Sequence, residues 1–508
     1  MIARVVQRTW RGIDDAVGRA AVWTDETISR VPRGFWEAAL LVAFALIVAA
    51  LALKNLVFAF AAVTVLVAVT LLLRSPILVV YATVGMLPLS WVNLLGERLR
   101  VVTFMTLVAF GFYFSQIVLR RERPRIEPLY KWVAAYVAIC FLSILNSVDP
   151  AYSITGMKYY IFALVFALAL IMSMETRRHL VVFATIILAW GVVQSLLAMA
   201  QSIVSPWFFP AYHFNVHSMD IVSSYAIGAI RRASGTFESG PRLAMFLLLP
   251  TAISLTFFFR NIDGRKVLWG GVLVVLAVGL FFSFTRIAVV LAGGFLFLYY
   301  FFEPEKARLW RTTFTLLTLS AIMLILFTFF FPADVYDAME ARFTQEGDQI
   351  YLDRFYFLYN ALMAFTEHPL LGYGFKTYTI HSWDFMQRFP VPWRSLAWEV
   401  SSLSMPQSVP VHNDYGRMLA ETGIFSLAAF IGTYVIAFRN LREVVRRAKD
   451  PVVEALGIAF TLFLAVMIVY WFFHEYIMEE PYVAILPFAF SIILRRMAQA
   501  ETHDAAPG

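Results

Sequence analysis

Apolar residues fill most of the chain in long uninterrupted blocks, and short polar stretches separate them. A helix needs about 20 mostly apolar residues to cross a hydrocarbon core of about 30 Å. Blocks of that kind occur at 36–53, 56–73, 76–96, 101–119, 129–147, 156–174, 180–204, 242–259, 267–284, 287–302, 312–332, 417–438, 455–473 and 481–494. The pattern predicts an all-α polytopic membrane protein with about 12 to 14 transmembrane helices, the block at 287–302 being barely long enough and the last one short. The first 35 residues have no apolar core and mix arginines with Asp14, Asp15, Asp25 and Glu26, so they do not read as a signal peptide. They could form an amphipathic cytoplasmic helix that turns Val5, Trp10, Ile13 and Val17 to the lipid surface.

Composition agrees with this pattern. Hydrophobic residues make up 60% of the 508 and charged residues 15%, with a mean hydropathy of +0.72. A soluble domain is about half apolar and a quarter charged. A cytosolic enzyme, a disordered scaffold and a secreted disulfide framework are all excluded. The net charge of +7 does not require a nucleic-acid partner, because excess Lys and Arg in a membrane protein gather on the cytoplasmic side. Cys140 is the single cysteine and sits within an apolar block, so its expected role is packing.

Orientation follows from the same bias. With the N-terminus in the cytoplasm, 27 of the 41 basic residues fall inside. The predicted organisation is then a cytoplasmic segment at 1–35, a first transmembrane bundle at 36–204 and an external loop at 205–241. Transmembrane helices at 242–332, a large external loop at 333–416, the last helices at 417–494 and a cytoplasmic tail at 495–508 complete it.

The spans carry almost no charge at mid-depth, where ion pumps and proton-coupled carriers place ionisable groups. Polar residues gather instead in the two external loops. The larger loop is rich in aromatics, including Tyr351, Phe355, Tyr359, Trp383, Trp393 and Trp398. Its first part, about 348–366, has the spacing of a surface helix, and its second part, with Pro390, Pro392, Pro406 and Pro410, reads as irregular loop. Aromatic faces there serve either interfacial packing or the stacking of sugar rings.

Ten of the 14 outer basic residues follow residue 230, among them Arg231, Arg232, Arg286, Arg354 and Arg417. Arg286 stands at the outer junction of two spans with no acid beside it in sequence. It either snorkels, pairs with Glu238 or Glu421, or holds a phosphate in the bidentate geometry that suits a guanidinium. His412, at the end of the long loop with Asp414 two residues on, is a candidate general base or a helix-entry cap. His213 and His217 have the i,i+4 spacing of a metal pair but no third ligand beyond Asp220, so no metal and no cofactor are expected.

Four motifs occur in order: Arg232-Ala-Ser-Gly-Thr-Phe237; Thr285-Arg286; Arg354 followed by Glu367-His-Pro-Leu-Leu-Gly-Tyr-Gly374; and Val411-His-Asn-Asp-Tyr-Gly-Arg-Met-Leu-Ala-Glu-Thr-Gly423. Together they resemble the O-antigen ligase and Wzy-type polymerase superfamily of bacterial envelope glycosyltransferases, over about 231–430. After Phe237 the usual Asn-Pro-Asn-like continuation is replaced by Glu238-Ser-Gly-Pro-Arg242. The resemblance implies a fold like the C-type glycosyltransferases and a multi-pass location in the bacterial inner membrane with the site on the periplasmic face. It implies an undecaprenyl-diphosphate-linked glycan donor and a glycan or lipid A–core acceptor. It also implies inverting, metal-independent transfer.

By that resemblance Arg232 and Arg286 bind the diphosphate, with Arg231 and Arg354 as further candidates, and His412 acts at the acceptor. Asp414, Arg417 and Glu238 are secondary candidates. The long loop tilts the expectation from ligase towards polymerase. An O-linked protein oligosaccharyltransferase and a non-enzymatic flippase or exporter of lipid-linked glycans are the alternatives.

Overall fold

The computed structural model describes residues 75–89, 100–120, 127–203, 226–227, 230–231, 233–237, 239–303, 306, 310, 313–314, 347–388, 411–474 and 480–503. Contacts divide the chain into two compact units, Met1–Leu73 with Asn93–Arg100 and Arg74–Val92 with Val101–Gly508, and every helix named here lies in the second. The expected spans at 36–53 and 56–73, that at 312–332 apart from residues 313–314, and the expected surface helix before residue 35 lie outside the described residues.

Helices α1 Pro76–Gly85, α2 Val101–Arg120, α3 Pro128–Ser143, α4 Pro150–Ser173 and α5 Arg177–Ile203 come first. A two-residue antiparallel hairpin, β1 Ala226–Ile227 with β2 Ile230–Arg231, precedes α6 Gly240–Arg260, α7 Lys266–Phe282 and α8 Arg286–Tyr299. Helices α9 Gly347–Glu367 and α10 Tyr378–Arg388 belong to the long loop, and α11 Asp414–Arg447, α12 Pro451–Phe473 and α13 Leu486–His503 close the chain. Among the described residues, eight helices are long and apolar enough to cross a membrane and three apolar helices are shorter.

The helix starts obey local chemistry. Proline occupies the first turn of α1, α3, α4, α6 and α12, where its missing N–H costs nothing. Asp149, Asn413 and Asp450 cap α4, α11 and α12 through their side chains. Helix α6 is the core of the unit: almost its whole length is buried, and it packs on α5, α7, α8 and α12. The opposite pattern holds on α2 and α8, where Phe114, Val118, Val290 and Phe297 are exposed, as a hydrocarbon solvent allows.

Three boundaries differ from the sequence expectation. In 76–89, the described part of the block at 76–96, the helix stops at Gly85 and a 3₁₀ turn follows at Leu87–Leu89, because Pro88 cannot donate to the helical ladder. The block at 417–438 becomes the 34-residue α11, whose inner turns are amphipathic and closed by an Arg447–Glu443 pair at 2.7 Å. The tail expected from residue 495 is helical to His503, since Arg495 and Arg496 are fixed to Glu127 and Glu443.

The two ends of the bundle differ. At one end Arg177 meets Asp450 at 2.8 Å, Arg260 meets Glu454 at 2.7 Å and Arg495 meets Glu443 at 2.7 Å. This is the end to which the charge bias assigns the cytoplasm. The other end gathers the loops that carry the sequence motifs.

Candidate functional site

The first wall of the site is the segment Ala233–Phe237. Two glutamines of α5, Gln194 and Gln201, lie seven residues apart on one face of an otherwise apolar helix and are both buried. Gln201 Oε1 accepts the Ser234 N–H at 3.1 Å and the Gly235 N–H at 2.8 Å, while its Nε2 donates to the Gly235 carbonyl at 2.8 Å. Gln194 Oε1 accepts the Thr236 N–H at 2.9 Å and its Nε2 donates to Thr236 Oγ1 at 2.8 Å. Thr236 Oγ1 donates in turn to the Pro88 carbonyl at 2.7 Å. A bent backbone at this depth must have its polar groups satisfied by protein, and the amides do so. Gly235 has φ +60, and a Cβ there would lie 2.2 Å from Gln194 Oε1.

The clamped segment touches the second wall directly. The Ala233 N–H donates to the Phe282 carbonyl at 3.2 Å, at the C-terminus of α7. Between α7 and α8 only Ser283, Phe284 and Thr285 make the turn, with Phe284 in the left-handed region at φ +49. A bulky side chain rarely adopts that conformation, so the turn is strained. Arg286 is the first residue of α8 and is half-buried. A cation at a helix N-terminus opposes the macrodipole, and an anion bound there reverses the sign of that interaction. The hydrogen bond to Phe282 therefore brings the residue that follows Arg232 to within a short turn of Arg286. Arg231 is the last residue of β2, whereas Arg232 and Glu238 lie outside the described residues.

The third wall is the His368–Gly374 loop, docked on a break in α11. Gly423 has φ +76 and ψ −173, a conformation essentially restricted to glycine, and there the long helix is interrupted. The loop pairs with the break through its backbone: Tyr373 N–H to Ala420 O at 2.8 Å, Gly374 N–H to Glu421 O at 3.0 Å, and Ile424 N–H to Pro369 O at 2.9 Å. A Cβ on Gly423 would stand 2.1 Å from the Leu370 oxygen. Asn146 Nδ2 and Ser153 Oγ, at the α3–α4 turn, hold the far side by donating to Gly372 O at 3.0 Å and Phe375 O at 2.6 Å.

Glu421 is fully buried and joins these pieces. Its Oε1 accepts from Arg417 Nε at 3.0 Å and its Oε2 from the Lys376 N–H at 2.8 Å. Arg417 is thus engaged in a buried i,i+4 pair whose removal would strand a charge.

His412 faces this structure from the start of α11. It is half-buried, adopts φ +54, and packs its ring 5.7 Å from that of Phe357 on α9. Arg354 lies on the same helix one turn before Phe357. Asn413 locks the histidine from behind: Oδ1 caps the Gly416 N–H at 2.8 Å and Nδ2 donates to the Phe472 carbonyl at 2.8 Å. Asp414 is buried in the first turn of α11. The α12 end connects His412 to the α6 wall, because Tyr470 Oη donates to Pro241 O at 2.8 Å and Arg242 pairs with Glu480 at 3.8 Å. His474 stacks on Tyr470 at 4.9 Å.

Beyond the core of the site, α10 returns across the loop. Tyr373 packs against His368, His381 and Phe385 and donates to Glu367. Burial holds the His381 imidazole below its ordinary pKa, against a weaker opposing pull from Asp384. The sequence expectation placed α9 correctly at about 348–366 but did not foresee α10; the proline-rich stretch at 389–410 lies outside the described residues. The sequence reading also missed Gln194 and Gln201, and it considered Glu421 only as a partner of Arg286, not of Arg417. Two amides at a spacing of seven in an apolar span were the available signal for the first two. Among the described residues no three His, Cys, Asp or Glu side chains converge in a metal-binding group; His213, His217 and Asp220 lie outside them.

A family model described as O-antigen ligase matches residues 271–431. The match includes Arg286, Arg354, His412, Asp414 and Arg417 and stops short of Arg231, Arg232 and Glu238. No curated protein matches the chain.

Proposed function

We propose that this chain, whose residues 271–431 match a family model described as O-antigen ligase, transfers a polysaccharide or repeat unit from undecaprenyl diphosphate to an acceptor sugar hydroxyl. Transfer takes place at the periplasmic face of the inner membrane. One observation carries this reading. The hydrogen bond from Ala233 to Phe282 and the Asn413 anchor on α12 draw the arginine-bearing turn and His412 to the same end of the bundle, opposite the end rich in salt bridges.

In the reaction the acceptor oxygen forms a bond to the anomeric carbon as the bond from that carbon to the diphosphate oxygen breaks. The pair of electrons leaves with undecaprenyl diphosphate. Arg286 and Arg232, with Arg231 and Arg354 as further contacts, stabilise the charge that develops on the leaving group, which is greatest in the transition state. Arginine suits this role without a metal, since it stays charged and reaches two oxygens at once. Attack from the face opposite the leaving group inverts the anomeric centre. The acceptor proton passes to the neutral imidazole of His412, a step worth about 10²–10⁴-fold.

The test is incubation of the purified protein with a defined undecaprenyl-diphosphate glycan and separate sugar acceptors, followed by product sizing. Polymer growth on the donor supports a polymerase and single transfer to lipid A–core supports a ligase. His412→Ala should lower turnover by about 10²-fold or more with donor binding retained. Wild-type turnover in His412→Gln, which can orient a hydroxyl but cannot take its proton, would reduce this histidine to positioning.

A further inference from the structure

The end of the bundle remote from His412 and Arg286 holds a cavity of about 390 Å³ between the start of α3 and the inner turns of α11 and α13. Its wall is basic. Arg439, Arg442, Arg446 and Arg447 come from α11 and Arg495 from α13. The acid in that wall, Glu443, is already held: Oε1 accepts from Arg447 at 2.7 Å and from Gln499 at 3.1 Å, and Oε2 accepts from Arg495 at 2.7 Å. Among the described residues Arg439, Arg442 and Arg446 form no ion pair. Three unpaired positive charges therefore line one concave space, since Glu443 and Glu127 engage Arg447 and Arg495.

A second observation concerns the source of a ligand for this space. Residues 424, 431, 435, 439, 442 and 446 fall within an arc of about 80° at the helical repeat of about 100° per residue. Ile424, Ile431 and Val435 are exposed on this face, so an apolar stripe runs down α11 into the arginines. Snorkelling alone accounts for arginines at the end of such a stripe. It does not account for the concave space or for the wall supplied by α13.

We propose that this cavity binds the phosphodiester head group of an anionic phospholipid from the leaflet at this end of the bundle. The guanidinium groups donate to the phosphate oxygens, and the acyl chains follow the Ile431–Val435 stripe. The volume lies in the range of about 300–1,000 Å³ usual for small-ligand sites, and basic clefts between spans at the cytoplasmic side suit such head groups. Bound lipid would tie α11, which carries His412 at its far end, to α3 and α13.

Native mass spectrometry of the full-length protein, titrated with phosphatidylglycerol or phosphatidylcholine, tests the proposal. One phosphatidylglycerol should be retained in preference to phosphatidylcholine. The triple variant Arg439→Gln, Arg442→Gln, Arg446→Gln should bind it at least about tenfold more weakly, since a lost charge-assisted contact is worth about that factor. Arg442→Gln alone, which removes one exposed charge of the wall, should weaken it several-fold and gives a readout even if the triple variant does not fold. Equal retention of the two lipids, or unchanged binding in either monodisperse variant, would overturn the proposal. Release of the lipid by millimolar inorganic phosphate that itself stays bound would overturn the lipid as the source of the phosphate.

Discussion

Replacing Gln201 by Leu tests whether the α5 amides position the arm proposed to bind the diphosphate. The leucine is close in size and apolar, so packing within α5 survives while three hydrogen bonds vanish: those from the Ser234 and Gly235 N–H groups and that to the Gly235 carbonyl. All three backbone groups lie in buried residues. Leaving each unsatisfied costs about 1–3 kcal/mol, so the native position of the segment is penalised by about 3 kcal/mol at least and about 9 at most. A segment under that load moves to find other partners. It carries Ala233, and so the residue preceding it, away from Phe282. A misplacement of about 1 Å in a positioning element can cost about 10²-fold. Transfer with a defined lipid-linked donor should therefore show kcat/KM reduced by about 10²-fold, together with a lower melting temperature in detergent. Gln201→Glu should fall between, because a carboxylate still accepts from both N–H groups but cannot donate to Gly235 O. Wild-type turnover, donor KM and melting temperature in Gln201→Leu would show that the clamp does not set the geometry of the site.

Three other perturbations probe separate parts. Arg286→Lys should lose about 1.5–3 kcal/mol of transition-state stabilisation, because an ammonium cannot reproduce the bidentate fork; unchanged turnover and donor affinity would exclude a phosphate role, and activity lost in EDTA but restored by a divalent ion would replace the metal-independent mechanism. Gly423→Ala places a Cβ 2.1 Å from the Leu370 oxygen at a φ of +76, so the docked His368–Gly374 loop should separate from α11. Faster amide exchange at Tyr373, Gly374 and Ile424 measures this, and unchanged protection there contradicts the docking described. His381 binds its proton less readily when folded, so the unfolded chain binds more protons below about pH 6.5. Its contribution to packing of α10 is present above that pH and is lost as pH falls towards the lowered folded value. Amide exchange of Tyr378–Arg388 should accelerate on acidification in the native chain and not in His381→Phe; equal acceleration in both assigns the effect to another group.

The sequence by itself determined the helical membrane class, because hydrocarbon admits only apolar helices or closed barrels and the apolar blocks have helix length. The expected blocks on described residues form helices, the one at 76–96 only a short helix at Pro76–Gly85 in its described part, and α9 falls where the spacing of Leu352, Tyr356, Tyr359 and Met363 puts it. The motifs were also legible as short local strings. Their joint placement was not, because it depends on contacts between residues far apart in the chain. Gln201 meets Gly235 across 34 positions, Asn146 meets Gly372 across 226, and Asn413 meets Phe472 across 59. The break in α11 at Gly423 illustrates the same limit. A glycine inside a long apolar pattern reads as a tolerated helix residue, and only the Leu370 oxygen pressed against it fixes the positive φ. Arg417 likewise had no assigned partner in the string of letters, although Glu421 stands four residues on. Burial of both by the docked loop turns that spacing into a structural ion pair. Local periodicity thus specifies the elements, whereas the candidate site arises from the tertiary packing that satisfies buried polar groups across the bundle.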